Sequence, residues 1–150
     1  MLGSLSTEQV EQLLRDEAIG RIGVHAQGRT YVVPVTYAYE GGCVYAHSTL
    51  GMKVRMMRQN PEVRFEVEKV EGLSTWQSVI AWGRYEELEG EEAVAGMQLL
   101  VARLMPRMTG SADMPTHGTG PQGHAADTAG HVPILFRIRL GERTGRFERR

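Results

Sequence analysis

Cysteine is nearly absent from this sequence, and long apolar runs and an excess of positive charge are absent altogether. The single cysteine, Cys43, has no partner for an internal disulfide, which favours a reducing compartment. No apolar run approaches the roughly 18–20 residues of a transmembrane helix, so no membrane span is predicted. The formal net charge of −1 offers no basic surface for nucleic acid.

The N-terminus, MLGSLSTEQV, lacks the apolar core of a secretory signal. We therefore expect a cytoplasmic protein. A chain of 150 residues is long enough for one domain, over residues 1–150, that buries its core without metal or disulfide support.

Two hydrophobic periods divide the chain into helices and strands. Helical spacing follows a Ser6–Gln9 capping box and returns in MKVRMMRQN (52–60) and EEAVAGMQLLVARLM (91–105). Alternating or β-branched runs predict six strands, followed by a short charged tail; the strands are 19–26, 30–40, 43–48, 63–70, 75–89 and 132–140. Strands that do not alternate with helices favour a mainly β fold, an antiparallel barrel or sandwich with helices over its openings.

Glycine and proline indicate where the strands turn or end. Gln27-Gly28 and Gly41-Gly42 predict tight hairpins between successive strands. Pro34 predicts an edge strand or a bulge, because proline donates no ladder hydrogen bond. Gly83 predicts a bend or a close approach of backbone.

The segment 106–131, PRMTGSADMPTHGTGPQGHAADTAGH, has no apolar period and is rich in glycine, proline and threonine. Such a stretch inside a domain is typical of a lid, a binding loop or a disordered segment, so we expect a flexible loop near a pocket mouth. His117, His124 and His131 recur every seven residues, but the glycines and prolines between them oppose a helix that would align them. No metal site is predicted.

The stretch VYAHSTLGMKVRMMRQNP (44–61) is a strand that runs into a basic helix. A helix N-terminus offers free backbone N–H groups to an anion, and Lys53 adds a full charge. Ser48 and Thr49 add hydroxyls, and His47 ends the strand. These residues predict a phosphate site at the corner. The alternative is that Ser48 or Thr49 caps the helix and Lys53 is solvated.

Three ordered motifs carry a resemblance to a known family. They are GRTYVVPVTYAYEGGCVYAHSTLGMK, NPEVRFEVEKV and WQSVIAWGRYEEL. Together they resemble the pyridoxamine 5′-phosphate oxidase-like family of flavin-binding split barrels, and within it the branch that contains nitroimidazole-resistance proteins. The resemblance implies a six-stranded antiparallel split β-barrel with Greek-key connections and short flanking helices.

The resemblance also implies a homodimer with FMN in two clefts at the interface. The flavin ring would lie against Pro34, Val35 and Thr36. The phosphate would lie near Ser48, Thr49 and Lys53, with His47 lining the pocket as the candidate catalytic residue. The partner chain would contribute Trp76, Gln77 and Ser78. From the residues alone, Trp76 and Trp82 share one face of a strand and are expected to pack in the core.

The implied activity is that of an FMN-dependent oxidoreductase, which passes electrons from a reduced nicotinamide to a small organic acceptor or to oxygen. One alternative is a non-catalytic flavin- or haem-binding or sensing protein on the same fold, and another is a relative that uses a deazaflavin. Pyridoxamine phosphate oxidation would need basic residues around a second phosphate. Outside the corner, only Arg137, Arg139 and the tail arginines offer them.

Overall fold

The computed structural model describes residues 1–108 and 132–150. The expected flexible loop over 106–131 therefore lies outside the described residues, except for 106–108, of which 106 and 107 belong to a 3-10 turn at Met105–Arg107. His117, His124 and His131 also lie outside them. In the two described ranges, no group of His, Cys, Asp or Glu side chains is arranged to hold a metal ion.

Three α-helices form in the described residues, where the helical spacing predicts them: α1 (Thr7–Asp16), α2 (Met52–Gln59) and α3 (Gly90–Leu104). The predicted capping box is confirmed at the start of α1. Ser6 Oγ accepts from the Gln9 N–H at 3.2 Å, and Gln9 Oε1 accepts from the Ser6 N–H at 2.8 Å. None of the described helices is long and apolar enough to cross a membrane.

Strands make up most of the remaining described chain. In order they are β1 (Leu2–Ser4), β2 (Ile19–Ala26), β3 (Arg29–Thr36), β4 (Ala38–Glu40), β5 (Cys43–Ser48), β6 (Glu62–Gly72), β7 (Thr75–Glu87) and β8 (Ile134–Glu148). Both predicted hairpins are confirmed. Gln27 and Gly28 have φ of 52° and 75°, and Gly41 and Gly42 have φ of 60° and 79°, which suit two-residue turns.

The predicted mainly β, antiparallel fold is confirmed, but the strands differ in number and extent from the sequence prediction. The run 30–40 is divided at Tyr37 into β3 and β4. The charged tail predicted after residue 140 is wrong, because β8 continues to Glu148. That continuation pairs with β7, at Ser78↔Arg146, and with β1, at Ser4↔Arg146. Both pairings join residues far apart in the chain, so no local sequence pattern predicts them.

The sheet is open but curled. Its strand order is β3-β2-β6-β7-β8-β5-β4, all antiparallel, with β1 beside β8. Seven strands in a flat sheet would span about 29 Å. The two outermost strands, β3 and β4, are nevertheless separated only by Tyr37, so the sheet must roll until its edges approach each other. This is the expected split barrel, and the pairs β2–β6 and β5–β8 are its Greek-key crossovers. Pro34 lies on edge strand β3, as predicted.

The core has two parts. The barrel interior holds fully buried side chains such as Ile22, Phe65 and Phe136, and a smaller cluster lies under α3 around Leu88 and Leu135. Gly83 makes the predicted close approach. A Cβ at this position would lie 2.5 Å from Cγ2 of Ile138, at a shift in the β7–β8 register.

Candidate functional site

The corner between β5 and α2 is formed as the sequence predicts. β5 is held by its ladder with β8, in which His47 pairs with Leu135 and Ser48 with Ile134. The chain leaves the sheet after Ser48 and enters α2 at Met52. Apolar residues of α2 face the barrel, and Asn60 just after the helix donates from Nδ2 to the His25 carbonyl at 2.7 Å. The helix is thereby held against β2 of the barrel.

The N-terminus of α2 has no side-chain cap. Its N-cap is Gly51, in extended backbone with φ of −148°. Ser48 is buried and its hydroxyl donates to the Thr49 carbonyl at 2.8 Å, while Thr49 is exposed. The alternative that Ser48 or Thr49 caps the helix is therefore wrong. The first backbone N–H groups of any helix lack intrahelical acceptors, and no side chain of residues 1–108 or 132–150 accepts from those of α2.

Lys53 lies in the first turn of α2 and is buried, with 8% of its surface exposed. Among residues 1–108 and 132–150, no side chain or carbonyl forms a hydrogen bond or ion pair with its amine. Burial lowers the pKa of Lys53, because desolvation penalises the ammonium. The alternative of a solvated lysine is therefore wrong.

Two local preferences are violated at Lys53. A cation in the first turn of a helix faces the positive end of the helix dipole. A buried charge without a partner costs free energy of desolvation. No acidic residue in the first turn of α2 offsets either effect. By contrast, Arg58 in the last turn is held by Glu87 through bonds of 2.9 and 3.0 Å. Free backbone N–H groups and an uncompensated ammonium are the groups that an anion-binding site offers to its ligand.

The end of β3 reaches the same edge of the barrel as the end of β5. The β4–β5 ladder stops at the pair Ala38↔Tyr45. Thr36 and His47 each lie two residues beyond that pair, so both leave the ladder on one side. Val35 and Thr36 are buried, Pro34 is exposed and His47 is half-buried. The structure thus brings the residues predicted on β3 and those of the corner to one end of the molecule.

Trp76, Gln77 and Ser78 are not brought to that end. Ser48 pairs with Ile134 of β8, whereas Ser78 pairs with Arg146 of the same strand. Twelve residues of strand correspond to roughly 40 Å. The two groups therefore lie towards opposite ends of β8.

The expectation that Trp76 and Trp82 pack in the core is wrong. Trp76 is half-buried and donates from Nε1 to Glu148 at 3.2 Å. Trp82 is 37% exposed, with the Arg64 guanidinium 5.6 Å from its ring centre. With Ile80, which is 46% exposed, they give the outer face of β7 an apolar surface.

Sequence reasoning missed a polar network of three side chains, Glu11, Tyr39 and Arg143. The Tyr39 hydroxyl donates to Glu11 Oε1 at 2.7 Å, and an Arg143 N–H donates to Glu11 Oε2 at 3.0 Å and also to the Tyr39 hydroxyl. Burial, and then the bond to Glu11, raises the pKa of Tyr39 to about 12. These residues come from α1, β4 and β8, and no sequence spacing relates them.

A family model described as pyridoxamine 5′-phosphate oxidase matches residues 6–146, which include the barrel, the corner and the outer half of β8 (residues 141–148) as far as Arg146. The chain belongs to this family. The protein RA0666 of Rhizobium meliloti (strain 1021), itself uncharacterised, is 26% identical over 148 residues, which are 95% of this chain and 92% of that protein.

Two solved structures resemble this family member over nearly its whole length. A FAD-binding protein (mll6688) from Mesorhizobium loti has a TM-score of 0.78 and 27% identity, covering 99% of both chains. A candidate 5-nitroimidazole antibiotic resistance protein from Bacteroides thetaiotaomicron has a TM-score of 0.70 and 16% identity, covering 98% of this chain and 87% of that one. The second similarity concerns the fold alone.

Proposed function

We propose that this chain is an FMN-binding homodimer that acts as an oxidoreductase, passing electrons from a reduced nicotinamide to a small organic acceptor or to oxygen. The observation that carries the proposal is Lys53, a buried ammonium without a partner in the described residues, beside the uncapped start of α2. A flavin phosphate would accept from both. The FAD-binding description of the Mesorhizobium loti protein supports a flavin as the ligand.

The residues of the corner fit the phosphate end of FMN. Lys53 would pair with the phosphate, and the first N–H groups of α2 would donate to it. Thr49, exposed beside the corner, would add its hydroxyl. The Ser48 hydroxyl donates to the Thr49 carbonyl, so Ser48 would contact the phosphate only after its hydroxyl turns.

The flavin ring would extend from the corner towards Pro34, Val35 and Thr36, which end at the same edge of the barrel. FMN held there would supply hydride and single-electron transfer. The extended backbone of β3 would orient the ring, and the buried side chains of Val35 and Thr36 would exclude water beneath it. His47 is the candidate for holding or moving a proton near the ring.

A second chain would complete the site. The partners of Ser48 and Ser78 lie at opposite ends of β8, which supports the contribution of these two groups by different chains. In a homodimer, the partner's stretch equivalent to Trp76–Ser78 would lie over the flavin. The apolar outer face of β7 would be buried between the chains.

The visible spectrum of the purified protein, followed by steady-state oxidation of a reduced nicotinamide, tests the proposal. We expect flavin absorption bands, either as purified or after addition of FMN, and turnover with an organic acceptor or oxygen. Flavin uptake without turnover would support the non-catalytic alternative. A haem Soret band instead of flavin bands, or no uptake of FMN, would overturn the proposal.

Pyridoxamine phosphate oxidation is the less supported activity. Arg137 and Arg139, two of the basic residues available for a second phosphate, are both occupied by Glu86. The bonds from their Nε atoms to its carboxylate are 2.7 and 3.1 Å. These arginine bonds hold the pKa of Glu86 below its ordinary value, so the carboxylate stays charged and competes with any phosphate.

A further inference from the structure

A cleft of about 920 Å³ opens between α1 and the outer half of β8, far along β8 from the corner. β8 pairs with β5 through residues 134–139 and with β1 through 146–148. Between these stretches, Arg143 and Thr144 have only β7 as a neighbouring strand in the described chain. The gap left on their other side is the cleft. Its volume is within the range of about 300–1,000 Å³ that is typical of small-molecule sites.

The walls of the cleft combine an apolar part and a polar part. Leu5, Val10 and Ile80 supply apolar surface. Hydroxyls come from Ser4 and Thr144, on either side of Arg146. This lining suits an organic body that carries a few hydrogen-bonding groups.

The charges that line the cleft leave one arginine uncompensated. Arg143 and Glu11 form an ion pair at 3.0 Å, and the Tyr39 hydroxyl joins them, so the charge of Arg143 is balanced and its side chain is held. Arg146 also lines the cleft, and no side chain or carbonyl of the described residues is bonded to its guanidinium. The net charge of the lining is therefore +1, which favours an anionic ligand.

We propose that the cleft binds a small organic carboxylate, with the Arg146 guanidinium as its charged contact. The planar guanidinium can bind a carboxylate through two parallel hydrogen bonds. The ion pair of Glu11 and Arg143 is a positioning element that keeps α1 at a fixed distance from β8. The apolar wall receives the body of the ligand.

The position of the cleft also indicates what the ligand does, an inference that rests on the proposed function. Ser78 pairs with Arg146, and Ile80 pairs with Thr144, so these four residues share one face of the sheet. In the proposed dimer, Ser78 lies against the partner's flavin. An anion held by Arg146 would therefore be next to that flavin, in the position of the electron donor or acceptor.

Amide chemical shifts of the full-length protein, incubated with FMN and then titrated with benzoate and separately with benzamide, test the proposal. Benzamide has the shape of benzoate without its charge. We expect benzoate to shift the amides of Ser4, Thr144 and Gly145 and to bind more tightly than benzamide. Arg146→Gln should weaken benzoate binding about tenfold and leave benzamide unchanged. Arg29→Gln removes the same charge from the exposed start of β3, beside a hairpin turn, and should change neither.

Several results would overturn the proposal: benzoate shifts confined to residues 47–53, equal binding of benzoate and benzamide, or equal effects of Arg146→Gln and Arg29→Gln. Flavin absorbance in the same samples separates this inference from the proposed function. Flavin bound without benzoate in the cleft refutes the cleft site alone. Benzoate bound there by a protein that takes up no flavin refutes the proposed function alone.

Discussion

Lys53 indicates a function because its position is unfavourable for a lysine in the absence of a ligand. It is buried, it lies at the positive end of a helix, and its amine has no acceptor in the described residues. Each of these features destabilises the folded chain, and a bound anion would offset their sum. Conflicts of this kind between local preference and the fold are expected at functional sites.

Replacement of Lys53 by alanine should weaken FMN binding and spare riboflavin, which lacks the phosphate. A charge-assisted hydrogen bond contributes roughly 1.5–3 kcal/mol, so FMN affinity should fall roughly ten- to a hundredfold. Fluorescence titration with FMN, FAD and riboflavin measures the difference. Arg55→Ala, on the exposed face of the same helix, is the control and should have little effect. Equal losses of affinity for FMN and riboflavin would show that Lys53 does not bind the phosphate.

Lys53→Met should stabilise the flavin-free protein at pH 7, by on the order of 1 kcal/mol, because it removes an unpaired buried charge. The pKa of Lys53 is lowered in the folded chain, so the unfolded chain binds more protons between the folded and unfolded pKa values. The stability of the wild type therefore rises with pH up to about 10, and the advantage of the variant shrinks. Urea unfolding at several pH values measures this. A stability difference between Lys53→Met and the wild type that does not change with pH would mean that it arises from packing and not from the charge.

At the scale of elements, the ladder between β7 and β8 determines where the barrel bends and which strands each half of β8 contacts. Their ladder runs from Trp76↔Glu148 to Glu87↔Phe136 and shifts register between Ala81 and Gly83. The shift lets the outer half of β8 reach β1 and α1 while the inner half pairs with β5. Gly83 is required there because the backbone of β7 lies directly against Ile138.

Gly83→Ala should destabilise the fold by about 1–3 kcal/mol, because the added Cβ would lie 2.5 Å from Cγ2 of Ile138 and 3.1 Å from the Arg139 carbonyl oxygen. Gly23→Ala is the matched control within the same sheet. Its Cβ would lie 3.8 Å from that of Arg64, an ordinary contact, so stability should change by less than about 0.5 kcal/mol. Thermal unfolding of both variants measures the difference. Equal stability of the two variants would mean that β7 and β8 can move apart to accept the added Cβ without loss of stability.

At the scale of the whole molecule, the described residues include an apolar outer face on β7 that the proposed dimer would cover. The exposed side chains of Ile80 and Trp82 and the half-buried Trp76 lie on β7, beside the stretch proposed to complete the partner's site. A C2 dimer that encloses two flavins should bury more than about 1,000 Å² in total.

Trp82→Glu should shift the protein from dimer to monomer and reduce FMN binding with it, since a charge on this face would be buried between the chains. Sedimentation velocity at micromolar concentration measures assembly, and flavin absorbance of the same samples measures binding. Val94→Glu places the same charge on the exposed surface of α3 and should leave both unchanged. A wild-type monomer that binds FMN fully would contradict the dimeric site.

Local signals in the sequence were enough for the helices, the hairpins, the edge position of Pro34 and the close approach at Gly83. Each depends on a hydrophobic period or a backbone preference of neighbouring residues. The corner from His47 to Lys53 was predictable for the same reason, since strand end, glycine and lysine follow one another. Tertiary structure decided the rest. The strand character of 141–148, the burial of Lys53, the exposure of Trp82 and the network of Glu11, Tyr39 and Arg143 all depend on contacts between residues distant in the chain. Such contacts leave no period in the sequence, because the fold alone brings these residues together.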